Sequence, residues 1–143
     1  MAEIFDSGVI RVNVPDGWKS FVGTDSEGKD TPKKVFVYKN ANEPLEIFSR
    51  AGITVCYFGK GDYYFSPKSF YDNVEDIESL ILGGREWKGY TCTSLGYPYI
   101  MLESYGDGTV FQVMVLLENG EHKISMEDTD VQEVIGSISE GGI

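Results

Sequence analysis

The sequence has few basic residues, and this shortage excludes several classes of partner. Twelve Lys and Arg stand against 23 Asp and Glu, which gives a formal net charge of −11 over 143 residues. A surface this acidic repels nucleic acids and anionic membranes, so we expect neither as a partner, whereas a basic protein surface is compatible with it. The chain also has no apolar run of the length that spans a membrane.

Two further shortages concern the compartment of the chain: a secretory signal and cysteine. The N-terminal residues contain neither a basic stretch nor an apolar core, so we expect a cytoplasmic chain unless a signal has been removed. Cys56 and Cys92 each lie in a β-like run, and two cysteines make no disulfide framework. We predict buried, reduced thiols, with one disulfide as the alternative for an exported protein.

Residues that carry chemistry are scarce as well. His122 is the single histidine, and no motif places a nucleophile or an orienting partner beside it. The acidic segment 25–30 lacks the ligand spacing of an EF-hand, and the cysteines have no metal-type spacing. There is no Walker loop, no G-x-S-x-G and no G-x-G-x-x-G. We therefore predict no catalytic residues, no metal and no cofactor, and an enzyme is the less favoured interpretation.

What the sequence does contain is the alternation of apolar and polar residues that is typical of strands. Turn signals rich in Gly, Asn and Asp separate the runs. Strands are predicted at 9–14, 18–22, 35–38, 51–58, 86–93, 97–104, 109–117 and 121–126. The run 109–117 is almost entirely apolar, which predicts a central strand covered on both faces.

Two segments have helical patterns. Ser66 and Pro67 are typical of a helix start, and Gly83 and Gly84 of a helix end, so a helix is predicted over 66–82. Its apolar residues recur at the spacing of one helix face: Phe70, Val74, Ile77 and Ile81. A second helix is predicted over 130–139. Together with the strands, these helices predict one α+β domain over residues 1–143, an antiparallel sheet of six or seven strands flanked by helices.

Two segments resemble motifs of a known family. The run Val12-Asn13-Val14-Pro15-Asp16-Gly17-Trp18 resembles the opening (V/Y)-x-(V/I)-P-x-G-W, and Ile135-Gly136-Ser137-Ile138 resembles a closing helix that ends in I-x-S-I. On these motifs the chain resembles the PsbP-like family of small bacterial proteins. The resemblance implies an α/β/α sandwich, and because members have unrelated roles it implies no catalytic set.

The feature that packing explains least is a concentration of aromatic residues over 57–71. Phe65 and Phe70 fit a hydrophobic staple at the start of the predicted helix. We predict that Tyr63, Tyr64 and Tyr71 lie at or beside a contact surface for an unknown protein partner, because tyrosine supplies contact area and a hydroxyl at low entropic cost. The other interpretation is a loop that folds onto the edge of its own sheet.

The sequence therefore favours a non-catalytic binding or accessory domain that holds a protein partner through this aromatic loop. The alternative is a small-ligand or hydrolytic cleft between the sheet and a helix. A flat, exposed aromatic patch would favour the first function. A cleft with converging polar groups and His122 pointing into it would favour the second.

Overall fold

The computed structural model describes residues 3–142, which form twelve strands and one α-helix. The helix is α1 (Thr129–Gly136), and two short 3₁₀ helices span Pro44–Ser49 and Pro67–Phe70. The strands are β1 (Glu3–Asp6), β2 (Ile10–Val14), β3 (Trp18–Thr24), β4 (Asp30–Lys39), β5 (Gly52–Phe58), β6 (Asp72–Leu82), β7 (Arg85–Ser94), β8 (Tyr97–Tyr105), β9 (Val110–Leu116), β10 (Glu118–Asn119), β11 (His122–Lys123) and β12 (Ser139–Glu140).

Seven of these strands form one long sheet. They pair in the order β3-β4-β5-β9-β8-β7-β6, and every pairing is antiparallel. The predicted antiparallel sheet is thus confirmed, and β9, the nearly all-apolar run, is its middle strand. Both faces of β9 are buried, as its composition predicts.

One face of the long sheet, which we call the core face, is covered by a second layer. This layer consists of α1 and the small sheet β1-β2-β12. Because strand side chains alternate between faces, every second residue of the long sheet points into this layer. The main hydrophobic core lies between the two layers and includes Ile10, Val12, Val35, Val37, Ile53, Val55, Trp87, Leu102, Phe111, Val113, Val115, Val131, Val134 and Ile135.

The opening turn and the closing helix, which carry the family resemblance, contact each other. The Trp18 indole Nε1 donates a hydrogen bond to Asp130 Oδ2 at 3.3 Å. The backbone N–H of Asn13 donates to Ser137 Oγ at 2.8 Å. The predicted closing helix is confirmed as α1, although it ends at Gly136, and Ser139 already belongs to β12.

The prediction of a helix over 66–82 is wrong: Ser66 and Pro67 start only a four-residue 3₁₀ helix, and β6 follows it. The register of β6 on β7 shifts twice, between Asp72 and Glu75 and between Ile77 and Leu80. Each bulge adds one residue to the strand, so apolar residues recur at intervals of three and imitate the spacing of a helix.

The side chains of the supposed helical stripe consequently separate. Val74 packs on the face opposite the core, Ile77 packs on the core face, and Phe70 and Ile81 are exposed. Within residues 3–142 an α-helix therefore flanks one face of the sheet. The opposite face, which we call the outer face, carries the two 3₁₀ helices instead. At eight residues α1 is the longest helix in the described part of the chain, and no helix there has the length and apolar character needed to cross a bilayer.

Candidate functional site

The aromatic loop, residues 59–71, lies on the outer face over β5 and β8, where Tyr64 fixes it. The Tyr64 hydroxyl donates a hydrogen bond to Glu103 Oε2. Its ring centroid lies 4.7 Å from that of Phe58 and 6.3 Å from that of Tyr105. Burial, followed by the hydrogen bond to the Glu103 carboxylate, raises the pKa of Tyr64 above its usual range. Tyr64 therefore attaches the loop to the sheet.

Glu103 is a buried carboxylate that inspection of the sequence missed. It lies in β8 opposite Gln112 of β9, and Tyr105 Oη donates a second hydrogen bond to its Oε1 at 3.1 Å. These hydrogen bonds offset the cost of removing the carboxylate from water. The alternation of side chains along the strand could have revealed it. Glu103 shares a face with Tyr99 and Met101 and is the one charged residue of that row.

Two ion pairs hold the ends of the aromatic loop. Asp62 Oδ2 accepts hydrogen bonds from Lys33 Nζ at 2.8 Å and from the backbone N–H of Gly59 at 2.9 Å. These bonds lower the pKa of Asp62, and the bond from Lys33 has the largest effect. At the other end Lys68 pairs with Asp76 of β6. The loop is thus attached to the sheet before, at and after Tyr64.

With the loop attached in this way, three of its rings face solvent. Tyr63 is 83% exposed, Phe65 56% and Phe70 76%, and the last two rings pack with centroids 6.1 Å apart. We call these three rings the aromatic patch. Of the predicted contact residues, only Tyr63 is fully exposed: Tyr64 is partly buried, and Tyr71 packs against the buried cluster that contains Tyr90. Phe65 and Phe70 were assigned to helix packing from the sequence, and in the structure they form the surface instead.

The other end of the outer face is an open groove with a volume of about 1050 Å³. Its floor is the sheet, its walls are the 3₁₀ helix Pro44–Ser49 and the turn between β7 and β8, and on its far side it extends past edge strand β3 to Phe5 of β1. The apolar side chains that line it are Phe5, Phe21, Val22, Phe36, Tyr38, Pro44, Leu45, Ile47, Phe48, Leu95, Tyr97, Tyr99 and Leu116. Burial raises the pKa of both Tyr38 and Tyr99.

A polar network fixes the helical wall of this groove. Glu46 Oε1 accepts backbone hydrogen bonds from Asn42 at 2.7 Å and Glu43 at 3.1 Å, and its Oε2 pairs with Arg50 Nη2 at 2.7 Å. Asn119 Nδ2 donates to the backbone oxygens of Phe48 and Arg50 at 3.0 and 3.2 Å. The wall is therefore tied at its base to β10 and to Arg50, which precedes β5, and its Leu45 and Phe48 remain exposed.

Of the candidates for chemistry, His122 lies apart from both features, whereas Asp25 lines a shallow depression with Asp62 and Tyr63 of the aromatic loop, and Asp30 lines the groove. His122 is half-buried in β11, next to Lys123, and lines neither the groove nor the aromatic loop. Asp25 Oδ1 closes the β3–β4 turn by accepting backbone hydrogen bonds from Glu27 at 2.8 Å and Lys29 at 3.0 Å. Within residues 3–142 no group of three or more His, Cys, Asp or Glu side chains is placed to hold a metal ion.

The two thiols are free and buried. Burial raises the pKa of Cys56 to about 11 and also raises that of Cys92. Cys56 lies in β5 and Cys92 in β7, with β9 and β8 between them. Three strand spacings separate the thiols by at least about 14 Å across the sheet, and Cys92 is also displaced along β7 from the residue level with Cys56, so a disulfide is out of reach.

No protein-family model and no curated protein matches the chain. Among solved structures it is similar to the solution structure of cyanobacterial PsbP (CyanoP) from Synechocystis sp. PCC 6803, at a TM-score of 0.48 and 10% identity over 97% of this chain and 92% of that one. It is also similar to a crystal structure from Bacteroides thetaiotaomicron VPI-5482, at a TM-score of 0.47 and 11% identity over 97% of this chain. This chain spans 47% of the length of the Bacteroides protein. Similarities of this size carry no argument about a binding site.

Proposed function

We propose that this chain is a non-catalytic binding domain that holds a protein partner through the aromatic patch. The observation that carries the proposal is the alternation in the aromatic loop: Tyr64 is fixed to the buried Glu103, while Tyr63 and Phe65 on either side of it are exposed. Phe70 extends the exposed surface through its contact with Phe65.

The energetics of binding support this use of the loop. Large aromatic side chains contribute most of the affinity in many protein interfaces. Each attachment of the loop reduces the conformational entropy that binding would otherwise cost. A partner that covers Tyr63, Phe65 and Phe70 would bury apolar rings that the fold leaves in water, and the chain's net charge of −11 favours a partner with basic residues around its contact surface.

Phe70→Ser and Phe48→Ser make a matched pair for testing the proposal. Both rings belong to short 3₁₀ helices, and they are 76% and 75% exposed, but only Phe70 lies in the aromatic patch. Urea unfolding first establishes that each variant is as stable as the wild type. Each variant is then used to capture partners from native lysate, and the captured proteins are quantified by mass spectrometry. Affinity for the captured partner is measured by calorimetry.

We expect Phe70→Ser to bind the captured partner at least about thirtyfold more weakly than the wild type, which corresponds to the roughly 2 kcal/mol loss of a hot-spot residue. Phe48→Ser should bind as the wild type does. Equal binding by the wild type and Phe70→Ser, confirmed with Tyr63→Ser, would show that the contact surface lies elsewhere.

The resemblance to the PsbP-like family is a second part of the proposal. It is supported by the packing of the two motif segments on each other, through the Trp18–Asp130 and Asn13–Ser137 hydrogen bonds. If the family membership holds, homologous sequences intermediate between this chain and PsbP proteins should keep both contacting motifs together. Intermediates that keep one motif and lose the other would contradict it.

We also propose the cytoplasm as the compartment, as the sequence predicts. Cys56 and Cys92 are free and too far apart to pair, so the fold of the described residues does not depend on an oxidising compartment. Cell fractionation with an antibody against the chain tests the assignment, and recovery of the protein from an extracytoplasmic fraction would overturn it.

A further inference from the structure

We infer that the groove beside the 3₁₀ helix Pro44–Ser49 is a binding site for an uncharged, largely apolar small molecule. This site is separate from the aromatic patch, because the patch residues do not line the groove. Its volume of about 1050 Å³ is at the upper end of the range for pockets that enclose ligands of drug size. Aromatic side chains contribute to its floor and to three of its sides, at Phe21, Phe36, Tyr38, Phe48, Tyr97 and Tyr99.

The helical wall of the groove packs on the sheet through Ile47, which contacts the buried cluster of Tyr38 and Leu116, and its outer side chains are free of such contacts. The helix Pro44–Ser49 has no buried residue, and its Leu45 and Phe48, both of which line the groove, are exposed. Glu46, Arg50 and Asn119 hold the helix in this position from its base. An apolar space that a hydrogen-bonded wall keeps open is pre-formed, so a ligand would enter it without first rearranging the chain.

The charges around the groove select the chemistry of the ligand. Of the described residues that line it, Asp30 is the one with a charged side chain, and no Lys, Arg or His is among them. A carboxylate or phosphate headgroup would therefore find no cation there, and the net charge of −11 opposes it further. The hydroxyl groups of Tyr97 and Tyr99 offer hydrogen bonds in the groove, whereas Tyr38 and Thr54 are buried and bonded to each other. These features fit a neutral ring system or chain that carries one hydrogen-bonding group.

The test uses the full chain and two naphthalene probes. N-phenyl-1-naphthylamine is neutral, and anilinonaphthalene sulfonate has a similar ring system and a negative charge. Fluorescence titration of the wild type should show saturable binding of the neutral probe and weaker binding of the anionic one. Phe48→Ser and Leu45→Ser should each weaken the neutral probe about five- to tenfold, because each removes apolar contact area from the wall.

Phe70→Ser is the matched control, since it removes an equally exposed ring outside the groove and should leave probe binding unchanged. Three outcomes would overturn the inference: no saturable binding of the neutral probe, equal binding by the wild type and both wall variants, or tighter binding of the anionic probe. Sedimentation equilibrium adds a fourth. If the wild type forms a dimer that Phe48→Ser abolishes, the groove is an interface between copies of this chain.

Discussion

The two ends of the outer face are built from similar side chains and differ in how they are covered. At one end Tyr64 lies on Phe58 and reaches the buried Glu103, so the aromatic loop closes over the sheet. At the other end the helix Pro44–Ser49 contacts the floor through Ile47 and leaves a groove beside it, into which the exposed Leu45 and Phe48 extend. Apolar composition alone therefore does not decide whether this face is covered.

The difference lies in where the polar partners are. Glu103 is inside the sheet, so the Tyr64 hydroxyl gains its hydrogen bond only by bringing its ring onto the surface of the strands. In the groove wall, Glu46 is satisfied by Arg50 and by nearby backbone N–H groups at the base of the helix. Among residues 3–142, the side-chain hydrogen bonds of that helix go to Asn42, Arg50 and Asn119 rather than to the floor. A buried polar group thus directs which part of an apolar face is closed.

The largest expected effect comes from removing the contact that closes the loop end. Tyr64→Ala should lower the free energy of unfolding by about 2–3 kcal/mol, because it removes a partly buried ring and one hydrogen bond of a buried carboxylate. Tyr64→Phe keeps the ring and should lose about 1–2 kcal/mol. Urea unfolding followed by circular dichroism measures both values.

Tyr63→Ala is the control for this comparison. Its ring is 83% exposed, so the free energy of unfolding should change by no more than about 0.5 kcal/mol. If Tyr63→Ala and Tyr64→Ala have equal effects, the two rings do not differ as the structure indicates, and the loop is not fixed by Tyr64.

A smaller effect is expected from filling a close contact in the floor of the groove. Gly52 lies opposite Tyr38 in the sheet, and a Cβ on Gly52 would overlap the Tyr38 ring. Gly52→Ala should therefore cost about 1–2 kcal/mol through overpacking. The same change made together with Tyr38→Ala should cost clearly less, because the ring is gone. Equal costs in both backgrounds, measured by urea unfolding, would contradict this packing of the floor.

The sheet was largely predictable from the sequence, whereas β6 and the site were not. Alternating apolar residues locate β5, β8 and β9, because burial of one or both faces of a regular strand leaves a local pattern. In β6 two bulges remove that pattern. The bulges belong to the pairing of β6 with β7, and this pairing cannot be read from the sequence of β6 alone.

The aromatic loop was recognised from its composition, but the role of each ring was not. Whether Tyr63 or Tyr64 faces the sheet depends on Glu103, which lies 39 residues beyond Tyr64 in the chain. The groove left even less signal, since the side chains that line it come from six strands of the long sheet and from the segment between β4 and β5, for which the sequence predicts no helix or strand. Sites formed by side chains from distant segments depend on the fold being known first.

The smallest expected effect is the loss of stability at low pH from one carboxylate at each end of the outer face. Hydrogen bonds lower the pKa of Asp62 in the loop, and the bond from Lys33 has the largest effect. Hydrogen bonds also lower the pKa of Glu46 in the groove wall, where the bond from the Asn42 backbone has the largest effect. Because both values lie below the ordinary 3.8 and 4.5, the stabilisation is complete above about pH 4.5 and is lost as the pH falls through the lowered values. Both carboxylates are near solvent, so the loss should be small.

The urea midpoint should fall less between pH 6 and pH 3 for Asp62→Asn and for Glu46→Gln than for the wild type. Hydrogen exchange at pH 3 should locate the opening of the wild type in residues 59–62 and 42–50. If exchange at pH 3 is faster in the middle of the sheet than at these two segments, their carboxylates do not hold the loop and the wall in place.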